Sequence, residues 1–137
     1  MILVDAGPLV ALVNRADRNH EACTTAVGAL REPLRTCWPV VAEAMFLLGY
    51  SWEAQDTVWG MIAAGTPALI SIDESDVPRM RELMHKYKDL PMDLADAALV
   101  TIAEREGIRR VFTTDRRDFS LYRPARIGRF EIIPPPG

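Results

Sequence analysis

Short apolar runs alternate with longer helical patterns along this chain, and that alternation restricts the fold more than any other feature. The first run, Ile2–Val4, is too short for a helix and reads as a buried strand that stops at Asp5. Helical patterns follow over Pro8–Asn14, where Pro8 is tolerated in a first turn, and over Asp17–Leu30, with Asp17 as candidate N-cap. Thr36–Trp38 is expected as a second strand, followed by helices over Pro39–Leu48 and Glu53–Ala64. Leu69–Ile72 reads as a third strand, Ser75–Lys88 as an exposed helix capped by Ser75, and Met92–Glu106 as a helix closed by Gly107. Arg110–Thr113 reads as a fourth strand leading into a polar loop, Phe130–Ile133 as a last one, and "PPPG" as a frayed tail. Short apolar strands separated by helices call for a mostly parallel sheet covered on both faces, an α/β fold. With 137 residues, the expectation is one domain spanning 1–137.

In such a sheet, ligands bind in the crevice beyond the carboxyl ends of the strands. Asp5 ends the first strand and Asp115 follows "RVFTT", so both are expected at the same edge. Glu43 is the only charge between Arg35 and Glu53, in a helix that reads as apolar all round. Charged residues are almost never buried unless paired. A buried ion pair is the bland explanation, and a ligand for a cation the functional one. On a helical wheel of "MDLADAALVTIAERE", Asp96 falls inside the sector of Ala95, Ala98, Leu99, Val100, Ile102 and Ala103. Asp93 sits at that sector's rim, where a helix cap explains it equally well.

Four converging carboxylates repel one another, and without a counter-charge some must be protonated. All-oxygen ligands select hard cations, Mg²⁺ or Mn²⁺ before others. With His20 and His85 as the only histidines, both read as surface residues, a histidine-rich zinc site is excluded. The chain has no Walker loop and no G-x-G-x-x-G. Phosphodiester hydrolysis by water activated at a divalent cation is the chemistry these residues permit. The net charge of −3 does not announce a nucleic-acid binder, but Arg109–Arg129 holds seven arginines against two aspartates, a local balance of +5. Arg109, Arg110, Arg116 and Arg117 are the candidate contacts to the phosphates of a partner. Cys23 and Cys37 fit no metal spacing and no disulfide framework, so they read as reduced thiols in a cytoplasmic protein. No signal-peptide pattern opens the chain, and no apolar run is long enough for a membrane span.

"VDAGPLVAL", "VVAEAMFLL", "LADAALVTIAE" and "RVFTTDRRDF", in that order, resemble the PIN domain family, and within it the VapC-like toxins of type II toxin–antitoxin pairs. The resemblance covers essentially the whole chain. It implies a three-layer α/β/α fold with a central, mostly parallel sheet, and a metal-dependent endoribonuclease. It carries the catalytic, metal-binding site onto Asp5, Glu43, Asp96 and Asp115, the acids already singled out. Asp93 and Asp118 are secondary acidic neighbours, and Thr113 matches a hydroxyl that organises the site. It also implies an RNA substrate, a cognate antitoxin protein and a homodimer.

Three rivals share parts of this pattern. A receiver-type phosphoacceptor domain also carries an acidic Mg²⁺ pocket, but needs paired acids after strand one and a lysine near the end. Strand one here is followed by one acid, and no lysine lies beyond Lys88. A non-toxin PIN nuclease, of RNA or DNA, would use the same residues. A catalytically silent nucleic-acid-binding module would not need all four acids.

Overall fold

The computed structural model describes residues 1–134, and the last three residues of the expected "PPPG" tail lie outside them. Five short strands form one sheet: β1 (Ile2–Val4), β2 (Leu34–Thr36), β3 (Ala68–Leu69), β4 (Arg110–Phe112) and β5 (Glu131–Ile133). Their spatial order is β3-β2-β1-β4-β5, and every pairing is parallel. The central β1 is buried throughout, as a three-residue apolar run demands. Register pairs Leu3 with Val111 and Val4 with Phe112, so Asp5 and Thr113 leave the sheet side by side.

Helices flank the sheet: α1 (Ala6–Val13), α2 (His20–Ala29), α3 (Trp38–Leu47), α4 (Trp52–Ala63), α5 (Val77–Lys86), α6 (Leu94–Glu106) and α7 (Arg116–Leu121). The chain builds outward from β1 through β2 to β3, then crosses back to β4 and β5. Right-handed crossovers in opposite directions place their helices on opposite faces. The direction reverses between β1 and β4, and the crevice of a doubly wound sheet opens at that switch point. Asp5 and the β4–α7 connection both sit there.

Several boundaries differ from the sequence expectation, each for a local reason. β2 ends at Thr36, before the expected Trp38, because α3 starts at Trp38 with Pro39 in its first turn and Cys37 at its N-cap. β3 is Ala68–Leu69, since β2 offers partners only at Arg35 and Thr36. Asp17 closes a turn, accepting from the Asn19 N–H at 2.8 Å, and α2 starts at His20. His20 is half-buried rather than on the surface, its Nδ1 2.7 Å from the Ala11 carbonyl. Asp73, not Ser75, caps the helical segment that leads to α5, in a reciprocal box with Asp76 around a 3₁₀ turn at Glu74–Asp76. The polar loop after β4 contains α7, capped when the Asp118 N–H donates to Asp115 at 3.2 Å.

The core runs from β1 through α6, which is buried at every residue from Ala95 to Ala103. Helix α3 is not buried all round: Phe46 is 84% exposed, and Trp38 and Leu47 also face outward. Apolar composition alone cannot tell a core helix from one with an exposed apolar face. Among the described residues, no helix is long and apolar enough to cross a membrane.

Candidate active site

Asp5 N-caps α1: its Oδ1 accepts from the Ala6 N–H at 2.8 Å, and its Oδ2 from the Thr113 hydroxyl at 2.7 Å. The same Thr113 oxygen accepts from the Asp115 N–H at 3.0 Å. One buried hydroxyl therefore ties the end of β1 to the chain leaving β4. The approach is close. A Cβ on Gly7 would lie 2.1 Å from Thr114 Oγ1 and 3.3 Å from its Cβ, so glycine there lets α1 meet the β4–α7 connection.

Asp93 N-caps α6 by accepting from the Asp96 N–H at 2.9 Å, and its own side chain is exposed. That cap starts α6 at Leu94, two residues later than the sequence pattern suggests, and sets Asp96, 8% exposed, in its first turn. Oxygens of Asp96, Asp115 and Asp118 lie within 4.8 Å of one another. Asp118 thus belongs to the tightest acidic cluster, where the sequence pattern ranked it secondary, and α7 is the reason: cap and first turn bring residues three apart to one point. Asp5 and Glu43 lie outside this triple. Glu43 is half-buried on α3.

Electrostatics join them to it. Burial pushes Asp5 up to about 6 from an ordinary 3.8, opposed by the Thr113 and Ala6 hydrogen bonds and helped by repulsion from Asp93 and Asp115. Burial, then repulsion from Asp93, Asp5 and Asp115, raises Glu43 to about 7. Burial, then Asp5, raises Asp96 to about 8 against a hydrogen bond from Tyr122. Asp118 is also raised, by burial and by Asp115. Hydrogen bonds to a carboxylate each favour its charged form by roughly 1.5–3 kcal/mol. At Asp5 two such bonds are outweighed, so desolvation and like charge dominate.

Among the described residues, no ion pair involves any of these acids. An all-carboxylate set with no ion-pair partner among the described residues and raised proton affinity fits a hard divalent cation. Asp96, Asp115 and Asp118 supply the clustered oxygens, with the buried Asp5 and half-buried Glu43 close enough to repel them. Cys37, which follows β2 beside Asp5, is no nucleophile, because burial pushes its thiol up to about 11.

The candidate phosphate contacts divide. Arg116 and Arg117 open α7 next to Asp115, and Arg116 bonds the Pro134 carbonyl. Arg109 and Arg110 stand at the start of β4, the opposite end of the sheet from the acids, and Arg110 pairs with Glu32 and Glu131. The expected strand over Arg110–Thr113 separates the two "RR" pairs, and grouping all four arginines as one phosphate-binding set overlooked that consequence.

The PIN domain family model matches residues 2–125. The chain belongs to the PIN domain family. PIN nucleases hydrolyse RNA and depend on divalent metal ions, and an acidic cluster is present here. This PIN domain is 30% identical over 135 residues to Ribonuclease VapC26 of Mycobacterium tuberculosis, covering 97% of this chain and 100% of that one. It also superposes on the crystal structure of VapC20 from the same organism, a sarcin–ricin-loop-cleaving toxin. The TM-score is 0.75 at 16% identity, over 81% of this chain and 87% of VapC20, a likeness of fold.

The sequence reading missed Tyr122 altogether. Its hydroxyl donates to Asp96 Oδ2 at 2.6 Å. The available signal was spacing: Tyr122 lies four residues after Asp118 and three after Phe119, one turn along the helix that was taken for a loop.

Proposed function

We propose that this PIN domain is a divalent-metal-dependent endoribonuclease, using Mg²⁺ or Mn²⁺ to hydrolyse RNA phosphodiester bonds, and the toxin of a toxin–antitoxin pair. The observation that carries the reading is the approach of Asp96, Asp115 and Asp118 to within 4.8 Å, beside a buried Asp5, at the sheet's switch point. Kinship with a ribonuclease over nearly the full chain supports RNA as substrate.

When bound, a divalent cation supplies positive charge that activates water and stabilises a departing oxyanion. The chain's own residues do the rest. Asp5, Glu43, Asp96 and Asp115 would hold the cation together with Asp118, and Asp93 would add charge from the rim. Thr113 keeps Asp5 and the Asp115 backbone in register. Arg116 and Arg117, at the start of α7, would meet phosphates flanking the scissile bond. An antitoxin protein restrains the activity, the active form is a homodimer, and the protein works in the cytoplasm.

The test is cleavage of single-stranded RNA in Mn²⁺ by wild type and Asp5→Asn, with chelator as control. Cleavage by wild type alone supports the reading. Equal cleavage by both, or cleavage untouched by chelator, overturns it. Loss of cleavage on co-expression with the product of an adjacent small reading frame tests the toxin role.

A further inference from the structure

Tyr122 is fully buried and spans two of the elements that build the site. Its backbone N–H donates to the Asp118 carbonyl at 3.1 Å and closes α7. Its hydroxyl donates to Asp96 Oδ2 at 2.6 Å. Helix α7 carries Asp115 at its N-cap and Asp118 in its first turn, while Asp96 belongs to α6. One residue therefore joins the far end of the helix that bears two of the clustered acids to the third acid.

The ring has little choice of position. Tyr87 packs edge-on against it at 5.0 Å and Phe119 at 5.2 Å, and Phe119 meets Phe130 at 5.5 Å. The Tyr87 hydroxyl is itself engaged, accepting from the Arg123 N–H at 2.9 Å. A ring held on two sides places its hydroxyl by packing, before any ligand arrives. A phenol has one hydrogen to donate. Given to Oδ2 at the short distance of a charge-assisted bond, it fixes how Asp96 turns about its broad terminal torsion.

We propose that Tyr122 is a positioning residue of the acidic site: its hydroxyl holds the Asp96 carboxylate in the orientation in which Asp96, Asp115 and Asp118 take up one divalent cation together. The inference rests on the reading of Asp96 as a cation ligand. Tyr122 touches neither the cation nor RNA; it acts through Asp96. Partners behind ligating side chains govern metal affinity by about 10–100-fold.

The experiment is calorimetric titration of the full chain with Mn²⁺, for wild type, Tyr122→Phe and Phe119→Leu. Tyr122→Phe keeps the ring and loses the hydroxyl, and is expected to bind Mn²⁺ about tenfold more weakly. Its RNA cleavage recovers when Mn²⁺ is raised to saturation, because the loss lies in metal affinity and not in turnover. Phe119→Leu loosens the same aromatic cluster and keeps the hydroxyl; it lowers the melting temperature more than it changes Mn²⁺ affinity. A Tyr122→Phe affinity equal to wild type overturns the proposal and leaves the proposed function standing. Absence of Mn²⁺ binding by wild type overturns the reading of Asp96 itself. A second measurement needs no Tyr122 variant: Mg²⁺ is expected to perturb the near-ultraviolet tyrosine absorbance of wild type and not of Asp96→Asn. An unperturbed wild-type spectrum at saturating Mg²⁺ overturns the proposal.

Discussion

Asp5→Asn should stabilise the metal-free protein while abolishing its activity. Asp5 is 7% exposed and its proton affinity is raised from 3.8 to about 6. For an acid raised on folding, the folded state binds more protons than the unfolded state, so stability falls as pH rises between the two values. The gap corresponds to about 3 kcal/mol, incurred between about pH 4 and pH 6 and constant above that. Asparagine carries no charge and does not incur it. Its amide oxygen can still accept from Ala6, while its NH₂ must donate to Thr113, whose hydroxyl already accepts from Asp115. Losing one acceptor from this pair costs about 1 kcal/mol. The net expectation is about 2 kcal/mol more stable than wild type above pH 6, and about 1 kcal/mol less stable at pH 4. Urea melts in chelator across that range measure it, with the midpoint compared at constant slope. A difference that does not change with pH, or an Asp5→Asn protein less stable than wild type at pH 8, refutes the electrostatic account.

Metal binding should carry the opposite pH dependence. Glu43 near 7 and Asp96 near 8 hold protons that a cation must displace, so Mn²⁺ affinity is expected to rise from pH 6 to pH 8 in calorimetry. At a hundredfold excess over its dissociation constant, Mn²⁺ should stabilise the fold by about 2.7 kcal/mol, lost on chelation. Gly7→Ala should cost about 1–3 kcal/mol in urea melts, because the new methyl meets Thr114 Oγ1; Thr114→Ala, which removes that oxygen, should restore most of it. Arg117→Ala should weaken single-stranded RNA binding and lower its salt slope by about 0.7, while Arg109→Ala, at the far end of the sheet, should change neither. Fluorescence titrations at several salt concentrations separate the two.

Much of the site was legible because chemistry makes certain residues conspicuous. A lone Asp5 after an apolar strand and an Asp96 inside an apolar helical sector are anomalies that the 2-fold and 3.6-fold periods expose directly. Asp93 read correctly as a cap for the same reason. Glu43 stood out as the lone charge of an apolar helix, although α3 also presents Phe46 and Leu47 outward. Asp118 and Tyr122 were underrated because "TTDRRDF" reads as polar loop. In the structure it is a helix capped by Asp115, and caps are too local to show in a hydrophobic pattern.

The sequence by itself determined the fold class, the carboxyl-edge placement of Asp5 and Asp115, and the oxygen-only character of the donor set. Each is a matter of local period and side-chain type. Which acids actually cluster, which arginines lie near them, and which buried hydroxyls hold them were decided by the tertiary structure. The order β3-β2-β1-β4-β5 sets Asp5 beside Thr113 across 108 residues of chain, and the strand between Arg110 and Thr113 puts basic residues at opposite ends of the sheet. Such pairings depend on which strand lies next to which, and no local period along the chain records that.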